Sequence, residues 1–599
     1  MKFTKIFLAA LLAVVVGSIV SGLFWVFTLI GVVGSAGAGT TVVSPNSILK
    51  IDLAESINDS PAVSPLAGFD FMSMEQTPSI SLLEVLRAID AAASDERIKG
   101  IYLNCTYGVG TYASTLEELR EAILKFKESG KFVVAYQDSY SQGDYYLATT
   151  ADRIYLQPQG GVELRGLSNT LIFFKGAFDK LGISCSVFRP TACKYKSAVE
   201  PYILSKMSEP NRVQNQMMCD QMWDVLISAI SESRGIEKSA VNAIADAMSA
   251  SFAEDALKNK LVDGLLYADQ LEEVWAELGV EKSLLGEYEM VTLSQYSSVV
   301  GADMKNLSAP KVGIIYAEGQ IVDGDLENDG QTIYGATLAQ TIADARKDED
   351  IKAVVLRVNS PGGSALASDV IWREVELLKA QKPVIVSMGS YAASGGYYIS
   401  APADAIVADK LTLTGSIGVF GMMLEGSDML RSKLGITTDG VKTNPSADFG
   451  QSLFGIGLRK PTEFEHKMLI RSVDNVYEAF TQKVADGRNL DIKHVLNIAE
   501  GRVWSGTEAV KIGLADANGG LMTAIGIAAD KAGIADNFRV EEVLGELSPM
   551  MMFAKALGGK LQSVMTDSET LAAQRDYKQL QRALSLEGVQ AYCPERLEF

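Results

Sequence analysis

One serine in this chain sits where chemistry is easiest to imagine. Ser394 lies in Ser390-Tyr391-Ala392-Ala393-Ser394-Gly395-Gly396-Tyr397-Tyr398-Ile399-Ser400, directly before two glycines and between apolar stretches. Such a residue is either part of a tight turn or a nucleophile where backbone must approach a substrate closely. A second glycine pair, in Asn359-Ser360-Pro361-Gly362-Gly363, is a plain turn or a backbone N–H cradle of the kind an oxyanion hole requires. The chain has only two histidines, His466 and His494, standing apart on predicted helices, so zinc sites and histidine triads fit poorly. The five cysteines (Cys105, Cys185, Cys193, Cys219 and Cys593) show no CxxC or metal spacing. They exclude a disulfide framework and leave a single Cys185–Cys193 bridge open.

The elements that must position the serine occur twice. Asp95-Glu96-Arg97-Ile98-Lys99 returns as Asp348-Glu349-Asp350-Ile351-Lys352. Tyr145-Tyr146 and Ala151-Asp152-Arg153-Ile154 return as Tyr397-Tyr398 and Ala403-Asp404-Ala405-Ile406. Lys180-Leu181-Gly182-Ile183 returns as Lys433-Leu434-Gly435-Ile436, and Leu261-Val262-Asp263 as Leu514-Ala515-Asp516. So long a period marks duplicated domains, not a solenoid. In each copy a helix with apolar positions Leu82, Leu86, Ile89 and Ala93, or Leu338, Ile342 and Ala345, precedes a strand. Strands are predicted at 100–104, 132–136 and 153–156, and again at 353–358, 384–388 and 405–408. Helices are predicted at 116–127 and 365–380. This alternation implies parallel βαβ units in an α/β fold, and repeated turns of this kind are also how a crotonase-like superhelix reads. Amphipathic helices near 211–232 and 462–486 could pack the copies together or build an oligomer interface. The second opens on a Thr462–Glu465 capping box that places His466 on its first turn.

The copies differ where chemistry would sit. Counting back from the paired tyrosines puts Gln142 opposite Ser394. Cys105-Thr106-Tyr107-Gly108-Val109 stands opposite the Pro-Gly-Gly turn. A lysine-rich segment shows the reverse asymmetry: Lys194-Tyr195-Lys196-Ser197-Ala198-Val199-Glu200-Pro201 faces Lys442-Thr443-Asn444-Pro445-Ser446-Ala447-Asp448, with Pro445 opposite Lys196. Two complementary losses suggest one site shared by both halves.

These segments, with Leu413-Thr414-Gly415-Ser416-Ile417-Gly418-Val419 and Gly501-Arg502-Val503-Trp504-Ser505-Gly506, resemble the signal peptide peptidase A (protease IV) family in its long, duplicated form. The resemblance covers nearly the whole chain. It implies tandem crotonase/Clp-protease-like α/β domains behind an N-terminal transmembrane helix, and peptide hydrolysis by a serine–lysine dyad. It implies Ser394 as nucleophile, Lys196 as general base and Ser416 as the hydroxyl orienting the lysine. Remnant signal peptides and other unfolded apolar peptides would be the substrates, a homotetramer the assembly, and no cofactor or metal is required. Cys193 and Pro190 are less typical of the family. The implied boundaries are an anchor at 1–38, copies at 46–305 and 310–540, and a tail at 541–599.

A lysine base must be neutral when substrate arrives, so its reference pKa of roughly 10.4 must fall through burial. Glu200 must therefore not pair with Lys196. Lys194 is the alternative base, on the opposite face if the segment is extended. The backbone N–H groups of Gly362, Gly363 and Gly395 are the oxyanion-hole candidates, with Gly395 and Gly396 letting substrate backbone come close.

Composition agrees with a membrane-tethered peptidase. A net charge of −20, from 54 basic and 74 acidic residues, disfavours nucleic acid as a partner. Residues Ile6 to Val33 carry no charge, a run longer than the roughly 20 residues that cross a bilayer. Lys2 and Lys5 favour a cytoplasmic N-terminus, which puts the rest outside the cytoplasm; the resemblance implies the extracytoplasmic side of a bacterial inner membrane. Small residues at Gly34–Ala38 would instead suit signal-peptide cleavage, but the apolar run is longer than a signal h-region. Rival readings are an acyl-CoA hydrolase or hydratase of the crotonase superfamily, which shares the fold but usually works in the cytosol with acidic residues, and a catalytically silent membrane scaffold.

Overall fold

Apolar strands that alternate with helices need cover on both faces, and the chain meets that need with one parallel sheet and one that is parallel except for the antiparallel edge strand Val503–Ser505. The structure, a computed structural model, describes residues 42–52, 56–61, 69–70, 75–76, 79–104, 112–302, 308–326, 332–453, 455–545 and 589–592. The span expected over Ile6–Val33 lies outside the described residues, as does the Cys105–Val109 turn. Among the described residues no helix is long and apolar enough to cross a membrane. Asn46–Phe599 forms one compact unit.

The first sheet has six parallel strands in the order Gly264–Leu265, Arg153–Leu156, Phe132–Gln137, Ile98–Asn104, Ser47–Asp52 and Met290–Thr292. The second runs Val503–Ser505, Leu413–Gly415, Val384–Ala393, Ile351–Ser360, Lys311–Glu318 and Arg539–Glu542. Its central strand forks. Ile385–Met388 pairs with the strand Ala405–Ala408, and Tyr391–Ala393 with Leu413–Gly415. Strand Val384–Ala393 thus runs five residues past the predicted end and delivers Ser394 at its tip. Gly389 is a mid-strand glycine used for close packing. A Cβ there would meet Asp59 Oδ2 at 2.9 Å and Asn359 Cβ at 3.1 Å.

A third sheet joins the halves. Strand Ser184–Phe188 pairs antiparallel with Phe420–Glu425. Beside them, Val589–Tyr592 pairs antiparallel with Gly362–Ser364 on one edge and Phe420–Gly421 on the other. The long helix Glu209–Arg234 packs the copies together: its Met218, Cys219 and Met222 bury against Ala393, Leu413 and Val503. The other, Glu463–Arg488, begins on the expected capping box and buries Val473, Phe480 and Val484 in the second core.

Charge is also buried at the seam. Arg357 lies 2.7 Å from both Asp59 and Glu118, all three at most 2% exposed as side chains. Burial alone would weaken the guanidinium's hold on its proton, but the two carboxylates raise its pKa above the usual arginine range. Cys185 and Cys193 are free thiols, so the bridge left open by the sequence is not made. Burial pushes the Cys193 thiol up to about 11.

Candidate active site

Two strands of the second sheet and one turn from the first half converge on a single amine. Lys196 Nζ lies 2.7 Å from Ser394 Oγ, 2.9 Å from Ser416 Oγ and 3.0 Å from the Ser416 carbonyl oxygen. Lys196 is 1% exposed, Ser394 0% and Ser416 2%, so the cluster is withdrawn from water. The sequence placed these three residues on separate segments, and the fold brings them together.

Backbone strain holds both serines. Ser394 has φ 57° and ψ −112°, and Ser416 has φ 50°, in a region that a side chain rarely adopts. Such conformations cost of order 1–3 kcal/mol and persist only where the surroundings enforce them. Here Ser394 N–H donates to the Gly415 carbonyl at 2.8 Å, and Ser416 N–H donates to the Arg502 carbonyl at 2.6 Å. Ser394 is also the N-cap of helix Gly395–Ser400 yet makes no side-chain capping bond. Its hydroxyl faces the lysine instead.

The lysine segment is not extended. Tight turns carry it, with Lys194 N–H donating to Ala192 O and Lys196 N–H to Cys193 O, before the short 3₁₀ turn Ser197–Val199. Pro190 fixes the start of these turns, since its carbonyl accepts from Cys193 N–H. Lys194 points to solvent, 53% exposed, and pairs with Glu500 at 2.7 Å. Glu200 is engaged by Ser208 and Asn211, the latter at 2.8 Å.

The glycines divide the work differently from expectation. Gly362 N–H donates to Ser360 Oγ at 3.1 Å, and Gly363 lies in a strand flanked on both sides. Gly396 makes room for protein rather than substrate, since a Cβ there would sit 2.6 Å from the Ser360 carbonyl. Gly395 N–H opens the helix after Ser394, where an N–H has no partner within the helix. Sequence reasoning missed Arg189, whose guanidinium donates to the Lys196 carbonyl at 2.7 Å, and Gly418, whose carbonyl lies 3.5 Å from Ser394 Oγ. Gly418 stood inside a quoted motif, but nothing in the sequence ties Arg189 to the lysine.

Residues 125–281 and 376–535 each match peptidase family S49. The chain is 36% identical to Protease 4 of Haemophilus influenzae over 81% of its own length and 78% of that protein. It is 36% identical to Protease 4 of Salmonella typhi, covering 86% and 84% of the two chains. It is 34% identical to the chloroplastic serine protease SPPA of Arabidopsis thaliana, covering 86% and 74%. The molecule is therefore a serine peptidase, with a mixed α/β fold that carries the family match twice. It belongs to peptidase family S49, which sets aside the acyl-CoA hydrolase and scaffold readings.

Proposed function

We propose that Ser394 is the nucleophile of this peptidase and Lys196 its general base, with Ser416 orienting the amine. The carrying observation is the 2.7 Å approach of Lys196 Nζ to Ser394 Oγ in a water-excluded pocket. A neutral amine has two N–H donors and one lone pair, by analogy with the ammonium that has three donors. Donation to the Ser416 carbonyl and hydroxyl leaves the lone pair for the Ser394 O–H. Burial favours that neutral form.

In this reading Ser394 Oγ attacks the scissile carbonyl as Lys196 takes its proton, and Lys196 returns that proton to the leaving amine. Water, deprotonated by the same amine, then hydrolyses the acyl-enzyme. Gly395 N–H is the favoured oxyanion donor, because Gly362 N–H is engaged by Ser360. Losing one such donor typically costs about 3–4 kcal/mol. The strand Val589–Tyr592, antiparallel to both Gly362–Ser364 and Phe420–Gly421, supports an extended peptide as the shape that these strand edges accept.

The rest of the proposal follows the family resemblance. Each copy, 46–305 and 310–540, is a crotonase/Clp-protease-like domain, and the molecule works as a homotetramer. Residues 1–38 anchor it in the bilayer of a bacterial inner membrane through Ile6–Val33, with the catalytic part outside the cytoplasm. Its substrates are remnant signal peptides and other unfolded apolar peptides. The test is hydrolysis of an unstructured apolar peptide by wild type, Ser394→Ala and Lys196→Ala. Undiminished turnover by either variant would sink the dyad.

A further inference from the structure

A base works only if its amine is held in place, and Lys196 sits on a turn that its own half does not hold alone. The Gly501-Arg502-Val503-Trp504-Ser505-Gly506 segment supplies what is missing. Glu500 and Gly501 have φ 53° and 76°, two consecutive residues in the left-handed region, the first without the excuse of being glycine. This bend turns the peptide groups of 500–502 in two directions.

Toward the lysine, the Glu500 carbonyl accepts Tyr195 N–H at 3.0 Å, and the Glu500 carboxylate pairs with Lys194 at 2.7 Å. Toward the serines, Gly501 N–H donates to the Ile417 carbonyl at 2.8 Å, and the Arg502 carbonyl accepts Ser416 N–H at 2.6 Å. Gly501 is pressed flat against the lysine. A Cβ there would sit 2.7 Å from Lys196 Cβ, 2.8 Å from its backbone nitrogen and 3.0 Å from its Cα. Two of those atoms are backbone, so no side-chain rotation relieves the clash. On the outside, the Arg502 guanidinium lies 4.1 Å from the Trp504 ring centroid and 5.3 Å from that of Tyr195, and its Nη2 is 3.3 Å from Met217 Sδ. Tyr195 and Met217 come from the first half, Trp504 from the second.

We infer that Glu500–Arg502 is the positioning turn for Lys196, a bracket in the second half that locks the first half's lysine to the Ser416–Ile417 segment that follows strand Leu413–Gly415. Gly501 is its seat and Arg502 its outer clasp. None of the three touches the reacting atoms, so they act through Lys196 as positioning residues. The inference rests on the dyad reading above and specifies how the two halves register with each other.

The test compares Gly501→Ala, Arg502→Ala, Arg502→Lys and Lys196→Ala in the full chain, using peptide hydrolysis across pH and thermal unfolding. Gly501→Ala should lower kcat at least 100-fold with KM within about threefold, because the displaced amine no longer meets Ser394. Residual activity should show its acidic limb at higher pH, since an amine shifted toward water keeps its proton longer. Arg502→Ala should lose roughly tenfold in kcat with the same limb shift, and Arg502→Lys should recover part of it. A merely structural role would lower the amplitude or the unfolding temperature and leave the limb in place. If Lys196→Ala is inactive while folded Gly501→Ala matches wild type in kcat and pH limb, the positioning role is overturned and the dyad stands. If Lys196→Ala is itself active, the dyad falls first. Should Gly501→Ala fail to fold, Arg502→Ala decides by the same two readouts, and an unmoved limb overturns the inference.

Discussion

Ser394 and Gln142 occupy matching places ahead of matching tyrosine pairs, and the fold treats them in opposite ways. In the first half the helix starts one residue earlier, at Gln142, behind a Ser141–Asp144 capping box. Gln142 has no positive φ, and its amide is engaged at both ends: Oε1 accepts Arg165 N–H and Gly166 N–H at 2.8 and 2.9 Å, and Nε2 donates to the Gly166 carbonyl at 3.1 Å. In the second half the helix starts later, the capping bond is missing and Ser394 is strained. A half-open depression of about 630 Å³ lined by Ser141, Asp144, Gly161 and Arg165 lies beside the first-half helix. The comparison teaches that this frame is most relaxed without the serine. Copy two gives up a cap and an ordinary backbone conformation to point one hydroxyl at a lysine from copy one.

The largest expected effect breaks that asymmetry at the serine. Ser394→Ala and Lys196→Ala should each lower kcat/KM by roughly 10⁴-fold or more, since members of a catalytic unit are not independently dispensable. Ser394→Gly should be equally inactive yet more resistant to denaturant, by about 1–2 kcal/mol, because glycine adopts φ 57° without strain. An inactive Ser394→Gly that is no more stable than Ser394→Ala would show that the backbone strain is not real. Adding Gln142→Ser to Ser394→Ala should restore nothing, because Pro445 stands where copy two would need the lysine.

A smaller effect comes from the relaxed half. Gln142→Ala removes an amide that is 6% exposed and leaves two backbone N–H groups unsatisfied. That should cost about 2–3 kcal/mol of stability, measured by denaturant unfolding, with kcat changed less than twofold. If kcat falls in proportion instead, the first half is coupled to the chemistry by more than its lysine.

Much of this was legible beforehand because duplication makes its own control. Internal repetition and the tyrosine pairs located Ser394 and Gln142, and strand–helix alternation gave the parallel sheets. The resemblance pointed to Lys196 and Ser416 on separate segments, whereas their meeting required the fold. Three things stayed hidden for identifiable physical reasons. The strand reads as ending at 388, although it runs on to Ala393 through Gly389, which faces Asp59 and Asn359. The lysine segment reads as extended, although its turns depend on contacts with Glu500 far along the chain. Pro-Gly-Gly reads as an open donor cradle, although Ser360 folds back onto Gly362 N–H.

The space between Gly362–Ser364 and Phe420–Gly421 can be probed through the strand Val589–Tyr592 that fills it. Gln590 of Val589–Tyr592 is 5% exposed and stands opposite both Ser364 and Phe420. A chain lacking residues 589–599 should lower the KM of an extended peptide several-fold while kcat stays within twofold, because a competing strand has been removed. An unchanged KM would mean that substrate does not use the space between those two strands.

The smallest effect tests the seam through its protons. Glu318 ends a strand of the second half and accepts a 2.7 Å bond from Ser60 Oγ. Burial, then the neighbouring Asp59 charge, push its carboxyl up to about 7. A raised carboxyl pKa means that the folded state holds the proton more tightly than the unfolded chain, whose reference lies near 4.5. Its stabilising contribution is therefore complete below about pH 4.5 and is lost as pH rises through about 7. Glu318→Gln keeps an acceptor for Ser60 without the charge. Relative to wild type it should be neutral near pH 4.5 and more stable above pH 7, by on the order of 1 kcal/mol once solvent screening is allowed for. A gain of equal size at both pH values would place the effect in packing rather than ionisation. A loss above pH 7 would mean that the Asp59–Arg357–Glu118 cluster relies on the Glu318 charge to hold the two halves in register.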